Sequence, residues 1–308
     1  MFGPQPESHP FGIQEWGLLA TAAIMWGCSF VLIARALEQF SPLVIATGRV
    51  AGGFATLGAF SQARGVRMPR EAWPRIAVVA ATWMAIPFTC FALAGQWISS
   101  ALAGMLNSGV PILTAMIAVL AFNRRATRRQ FVGLLIGFVG TGLIAAPKLA
   151  GGANAGALGV VLCLVAVTCY GIATNVMVPL QMQYGTLPVL WRAQGIAIVV
   201  TTPFAVVGVT RSDFSWGALL SVLALGVFGT GIAFIAAGTL IGRVGATRGV
   251  LSTYFAPIVA IVVGVMIRHD HIEWLSLTGI PLVLCGAYVA SRGVGSRTSE
   301  PVAQIGAP

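Results

Sequence analysis

Charged side chains are the scarcest feature of this sequence. They make up 8% of its 308 residues, where a soluble domain carries about 25%. Residues 76–123 and 149–191 hold no Asp, Glu, Lys, Arg or His at all. So little polar surface cannot cover a water-soluble globule. With 57% hydrophobic residues, lipid must surround most of the chain.

Acids are rarer still, and their placement excludes whole classes of chemistry. The eight acidic residues are Glu7, Glu15, Glu38, Glu71, Asp213, Asp270, Glu273 and Glu300; all fall in tails, loops or helix ends, as do His9, His269 and His271. An intramembrane enzyme using magnesium needs Asp pairs, and an intramembrane metalloprotease needs a motif such as HExxH. Neither occurs, and a serine nucleophile would find no base at depth. An enzyme is therefore not expected, and no cofactor is implied. A transporter driven by protons or sodium normally holds an acid or His within the membrane, so its absence here points to uncoupled movement down the substrate gradient. The five cysteines (Cys28, Cys90, Cys163, Cys169, Cys285) lie inside apolar segments at spacings that match no metal motif and read as small hydrophobes. Residues 1–15 contain Glu7 and Glu15 but no Lys or Arg. The basic region of a signal peptide is thus missing, and the first apolar run is expected to stay in the chain.

What the chain does contain is apolar runs of spanning length. A spanning helix needs about 20 mostly apolar residues. Candidate spans fall near 15–37, 42–63, 72–94, 99–122, 129–147, 155–181, 187–208, 214–240, 246–267 and 273–292. Trp16, Trp73, Trp97, Trp191, Trp216 and Trp274 sit at predicted span ends, where an indole prefers the headgroup level. Trp26 and Trp83 are left inside. The net charge of +10 is spread as orienting charge rather than as a nucleic-acid surface. With both termini cytoplasmic, the inner loops and tail carry Arg64, Arg67, Arg70, Arg75, Arg124, Arg125, Arg128, Arg129, Arg243, Arg248, Arg292 and Arg297. The outer side keeps only Arg35, Lys148, Arg211 and Arg268, so the bias is twelve against four.

The two halves align at a shift of 146 residues, which pairs Pro42 with Pro188, Pro111 with Pro257, Gly133 with Gly279 and Gly140 with Gly286. Five helices per repeat is an odd number, so the second repeat enters the membrane inverted. Inverted repeats place a substrate site near the midplane where they meet. The expected fold is an all-α integral membrane protein of ten transmembrane helices with both termini cytoplasmic. Its expected parts are an N-terminal tail over 1–13, a first repeat over 14–148, a second over 154–292 and a disordered cytoplasmic tail over 293–308.

The segment WGCSF (26–30) is followed by Pro42 and Arg49, then by Pro111 and RRQFVGLLIGFVGTGLI (128–144); the second half has TYFAPIVAIVVG (253–264) and TGIPLVLCGAYVASR (278–292). In this order the motifs resemble the EamA type of the drug/metabolite transporter superfamily, over roughly residues 14–292. The resemblance implies ten helices, cytoplasmic termini and export of metabolites, often amino acids and their relatives, across a bacterial inner membrane. Members of that family usually place an acid nine positions before the glycine of the fifth helix of each repeat. Here Asp270 precedes Gly279, but Arg124 precedes Gly133, so a symmetrical pair of acids is lacking.

The groups able to line a central cavity are Trp26, Trp83, Asn107, Tyr170, Asn175, Ser252 and Tyr254, with Gln96, Ser108, Thr230 and Thr253 beside them. Neutral donors and acceptors between aromatic walls suit a zwitterionic or weakly polar solute with an apolar side chain. For each residue alone, a hydrogen bond between helices is the competing reading. The cations at depth are Arg49 and Arg192. Each either attracts a substrate carboxylate or ties helices through backbone carbonyls or snorkels. Arg192, about one turn from its helix end, fits the second reading better; Arg49 stays open between the two. Pro111 and Pro257 each remove a backbone hydrogen bond at matched positions and read as kinks or pivots that shape the cavity. Gly133, Gly137, Gly140, Gly279 and Gly286 recur on one face of the fifth and tenth spans and read as internal helix packing rather than a dimer contact. The expected function is export of small metabolites, neutral and aromatic amino acids first, by a monomer or weak dimer in the lipid bilayer. A nucleobase, amine or drug is the alternative cargo.

Overall fold

Helices make up all the regular structure among the described residues of the computed structural model, which are 12–122, 127–150, 154–244 and 251–292. In chain order they are α1 (Ile13–Ala36), α2 (Pro42–Gly58), α3 (Arg70–Ala94), α4 (Ser100–Leu120), α5 (Arg128–Leu149), α6 (Ala155–Tyr184), α7 (Thr186–Val209), α8 (Trp216–Leu240), α9 (Leu251–Arg268) and α10 (Trp274–Arg292). A single helical turn, Ser61–Gly65, follows α2. Seven helices, α1 and α3 to α8, are long and apolar enough to cross a membrane; Phe255–Arg268 and Trp274–Gly286 are shorter apolar helices. The chain is a multi-pass membrane protein. The expected tails fall outside the described residues except for positions 12 and 13, as do Arg124, Arg125, Arg248, Arg297 and the side chain of Tyr254. Trp16, Trp73, Trp97, Trp216 and Trp274 stand exposed at helix ends, whereas Trp191 stacks on Phe54 with ring centroids 5.0 Å apart.

Packing follows an exchange of halves. The pairs α2–α7, α4–α9 and α5–α10 join equivalent helices. Among the remaining contacts, α1–α9 has its counterpart in α4–α6, α1–α8 in α3–α6, and α2–α8 in α3–α7. The tightest seam is α5–α10, and glycine makes it possible. A Cβ on Gly140 would lie 2.7 Å from the carbonyl of Gly279, and one on Gly286 would lie 2.4 Å from the amide of Gly137. Ser276 Oγ adds a hydrogen bond to Ile144 O at 2.9 Å. These glycines thus serve internal packing.

Two departures from regular helix stand out. The expected 99–122 span is broken at Ser108–Gly109 into Ser100–Asn107 and Val110–Leu120, with Pro111 the second residue of the latter. Proline has no N–H and its ring crowds the carbonyl four residues back, so the chain closes one segment and starts another. Pro257, by contrast, lies inside continuous helix. The second departure is a pair of π-helical stretches, Ala80–Ala85 in α3 and Leu225–Ile232 in α8. They coincide at the same shift of 146 that aligns the sequence repeats. Such wide turns gather at functional sites.

The two ends of the bundle differ. At one end the α1–α2 turn meets the α7–α8 turn: Asp213 N–H donates to Gln39 O (3.0 Å) and Ser41 N–H to Ser212 Oγ (2.9 Å). Arg268, at the end of α9, pairs with Glu38. Asp270 accepts from Ser100 Oγ (2.5 Å) and Ala101 N–H (2.8 Å), which caps α4 from the other half of the chain. A carboxylate on a helix N-terminus is worth about 1–2 kcal/mol. Asp270→Asn is therefore expected to speed hydrogen exchange over residues 100–104 by roughly tenfold or more; unchanged exchange there by mass spectrometry would show that the cap holds nothing. At the opposite end, Arg243 reaches Glu15 (3.1 Å) and Gln14 (2.7 Å). Arg192 donates to Ala63 O and Pro188 O, each at 3.1 Å, and to Val66 O. It ties α7 to the turn after α2, the second of its two readings. Beside it opens a cleft of about 520 Å³ lined by Phe60, Val66, Tyr184, Leu187, Ile235 and Thr239 among others.

Candidate functional site

The site is built where α1, α2, α3, α6 and α8 converge. Trp26 of α1 meets Phe234 of α8 (centroids 5.8 Å apart), which meets Trp83 of α3 (5.9 Å), which meets Tyr170 of α6 (6.4 Å). Tyr170 packs on Phe91 (6.0 Å), and Phe91 on Phe30 (5.3 Å), one turn beyond Trp26 on the same helix. The circuit thus closes on α1, and most of its contacts are edge-to-face or tilted, geometries that aromatic quadrupoles favour. Trp83 reaches this position from within the π-helical turn of α3.

Arg49 of α2 enters the same region. It is 7% exposed, its guanidinium carbon lies 4.0 Å from the ring centroid of Phe88, and its Nε donates to Thr230 Oγ1 at 2.9 Å. Thr230 sits in the π-helical turn of α8 and donates in turn to Leu225 O, five residues back, at 3.0 Å. Tyr170 is close enough to Arg49 to interact with it electrostatically. Residue 229 is glycine: a Cβ there would lie 2.7 Å from Ser29 Oγ and 3.8 Å from Arg49 Nη2. Across the cluster, a Cβ on Gly53 would lie 2.7 Å from Thr230 Cγ2 and 2.9 Å from Gln194 Oε1. Gln194 is 0% exposed, and neither polar atom of its amide has a partner among the described residues.

Among the described residues no carboxylate answers this charge. The ion pairs among the described residues are Arg35–Glu38, Arg243–Glu15 and Arg268–Glu38, all at helix ends. The Nη groups of Arg49 make no hydrogen bond among the described residues. Arginine stays protonated in proteins, and an isolated buried charge is costly unless an anion accompanies it. The arrangement is an apolar aromatic enclosure with one cationic, planar donor at its edge, suited to a small solute bearing a carboxylate.

Five of the residues expected from sequence therefore come together: Trp26, Trp83, Tyr170, Arg49 and Thr230. Others stand apart. Asn175 is turned to α4, where its amide donates to Thr114 O (3.0 Å) and Gly171 O (2.9 Å). Asn107 lies at the break in α4 with a buried Oδ1 that has no partner among the described residues. Ser252 is buried in α9. Phe88, Phe91, Phe234, Ser29 and Gln194 join the site without having been singled out. Of these only Ser29 lay in a quoted motif, WGCSF (26–30).

A model of the EamA-like transporter family matches residues 16–146 and again 157–292. The chain belongs to this family. Within it, the chain is similar to an uncharacterized transporter of Archaeoglobus fulgidus, 23% identical over 280 residues that cover 91% of this chain and 99% of the relative. It is also similar to the uncharacterized inner membrane transporter YedA of Escherichia coli, 25% identical with 89% and 92% covered. A protein of E. coli K12 named probable amino-acid metabolite efflux pump is 22% identical with 93% and 98% covered. A solved crystal structure superposes with a TM-score of 0.63 over 89% of this chain and 97% of its own, at 20% identity; that likeness concerns the fold. As an EamA-like transporter, the protein carries its aromatic enclosure in both halves: Trp26, Phe30, Arg49, Trp83 and Phe91 come from the first matched stretch, Tyr170, Thr230 and Phe234 from the second.

Proposed function

We propose that this EamA-like transporter exports small carboxylate-bearing metabolites, neutral and aromatic amino acids foremost, across a bacterial inner membrane by alternating access. In this reading the helices form ten spans in two inverted repeats with both termini cytoplasmic, and the stitched end of the bundle faces outward. The observation that carries the proposal is Arg49: a buried guanidinium without a carboxylate partner among the described residues, set against an aromatic enclosure. Arg49 anchors the carboxylate, Trp26, Trp83 and Tyr170 receive the apolar side chain, and Pro111 and Pro257 shape the two helices that pair across the halves. Asn107, Ser252 and Tyr254 are assigned to the cavity walls in other states of the cycle. The name of the E. coli efflux pump agrees with this cargo. With no acid or His in the enclosure, transport runs without proton or sodium coupling.

The test is flux of radiolabelled amino acids into proteoliposomes, with and without imposed proton and sodium gradients. Flux that follows the amino-acid gradient alone is expected. Amino-acid flux driven uphill by a pH gradient would overturn the uncoupled mode, and flux of amines or nucleobases instead would overturn the cargo. Truncating Trp83 to Ala is expected to raise KM about tenfold, as one aromatic wall is lost.

A further inference from the structure

We infer that the cleft beside Arg192 is the cytoplasmic entrance for the cargo, and that it shuts when Arg67 N–H reaches the carbonyl of Gly185 as the bond between Asp213 and Gln39 at the opposite end lets go. The inference deepens the proposed alternating access and rests on it. It comes from setting equivalent parts of the two halves side by side. The helices α3 and α8 begin and end at the shift of 146, Arg70–Ala94 against Trp216–Leu240. The same shift pairs Pro42 with Pro188, so the turns beside these helices match residue by residue. At the stitched end Asp213 N–H donates to Gln39 O at 3.0 Å, and Ser41 N–H to Ser212 Oγ at 2.9 Å. The equivalent pairs are Arg67 with Gly185 and Leu187 with Val66. No hydrogen bond joins either pair. Segments 60–66 and 184–188 instead line the cleft of about 520 Å³. One set of turns closed and its equivalent open is the asymmetry of a carrier of inverted repeats that faces one side.

The difference between the equivalent turns centres on one residue. Gly185 has φ +83° and ψ 156°, a region essentially closed to residues with a Cβ, whereas its equivalent Gln39 has no positive φ. Turning Gly185 toward the conformation of Gln39 re-aims its carbonyl. The partner strand of chain is already held: Arg192, whose equivalent is Ala46, keeps residues 63–66 on α7 through the carbonyls of Ala63 and Val66. The cleft also adjoins the site along α8. Ile235 lines it and directly follows Phe234 of the aromatic circuit. Thr230, the partner of Arg49, stands about 12 Å along the same helix from Gly238 in the cleft wall. Where the stitched end closes on Ser41 and Ser212, this end closes on Leu187 and Val66, so the shut gate here is apolar.

The first two measurements need no assumption about cargo; both read amide exchange by mass spectrometry in purified protein. Gly185→Ala penalises only the backbone conformation, since its Cβ would lie no nearer than 3.5 Å to Pro188 Cδ. The present state is disfavoured against the shut one, so exchange over residues 39–43 and 211–215, at the far end of the bundle, is expected to speed about tenfold. Exchange over 276–286 in the α5–α10 seam is expected to stay as in the wild type. Unchanged exchange at the stitched end, or an equal rise in the seam, would overturn the gate. Val66→Cys combined with Leu187→Cys fixes the shut state through a disulfide. Oxidation is expected to speed exchange over the same stitched-end residues about tenfold or more, and reduction to reverse it. A cross-link that merely stiffened the fold would slow exchange, and that result, no change, or a pair that does not cross-link would sink the inference. The third measurement is flux: oxidation of the same pair in proteoliposomes is expected to stop amino-acid flux until the disulfide is reduced, and undiminished flux would show that the cleft is not the entrance. The expected exchange changes without amino-acid flux even in the reduced protein would support the gate and overturn the cargo proposal.

Discussion

Arg49→Gln is expected to reduce amino-acid flux in proteoliposomes by roughly 100-fold or more, mostly in kcat/KM. A pair of charge-assisted hydrogen bonds to a carboxylate is lost, and each such bond is worth about 1.5–3 kcal/mol, where 1.4 kcal/mol is tenfold. The substitution keeps a polar group that can still reach Thr230, so the helix contact at 2.9 Å has a neutral replacement. Arg49→Lys is expected to lie between the two, because a point charge replaces a planar fork. Thr230→Val, which frees Nε without removing the charge, is expected to cost about tenfold. The same Arg49→Gln protein is expected to melt higher than the wild type in an anion-poor buffer, since it no longer holds an unpaired buried cation. Wild-type flux from Arg49→Gln would assign the residue to helix packing and remove the basis of the proposed site. The opposite signs of the two effects, lower flux and higher melting, separate loss of a binding group from loss of the fold.

Gly286→Leu is expected to lower the melting temperature in detergent by roughly 10 °C or more. The new Cβ alone would lie 2.4 Å from the backbone nitrogen of Gly137 and 2.6 Å from the carbonyl of Gly133. Neither can move without shifting α5. Overpacking of that kind costs about 1–3 kcal/mol and more where backbone is the obstacle, at about 2–4 °C per kcal/mol. Gly142→Leu is the control: it lies on α5 too, but nothing stands within 4 Å of its would-be Cβ, so it is expected to melt as the wild type does. Equal losses from both would show that any glycine in α5 or α10 resists a side chain, and that the close seam is not the cause.

Much of this could be read directly from residue order. The glycine face of the fifth and tenth spans became the α5–α10 seam because only glycine lets two backbones approach that closely, and a regular spacing exposes the face. Arg192 was legible as a tie because a long cationic side chain one turn from a helix end can reach the connecting segment beside it, here the carbonyls of Ala63 and Val66 after α2. Trp191 differs from the other span-end indoles in being stacked on a ring of another helix. Its position at a span end is visible, but its stack on Phe54 depends on a neighbouring helix. Asn175 has the composition of a cavity residue, yet its amide is turned to the α4 backbone. The break in α4 needed knowledge of where Pro111 falls within a turn, while its counterpart Pro257 leaves α9 continuous.

The sequence by itself determined that this is a helical membrane protein, that both halves carry one pattern, and that no acid or histidine stands deep in any span. Those conclusions depend on sums and spacings along the chain, which hydropathy and charge report without reference to neighbours. Only the tertiary structure decided which of 16 phenylalanines face inward, that the wide turns at Ala80–Ala85 and Leu225–Ile232 bring Trp83 and Thr230 to the centre, and that Arg49 meets Phe88 and Thr230 but no carboxylate among the described residues. In lipid almost every face of a helix is apolar, so composition barely marks which face turns inward. Rotation is set instead by close packing of small residues and by hydrogen-bond register, and these exist only once the helices have met.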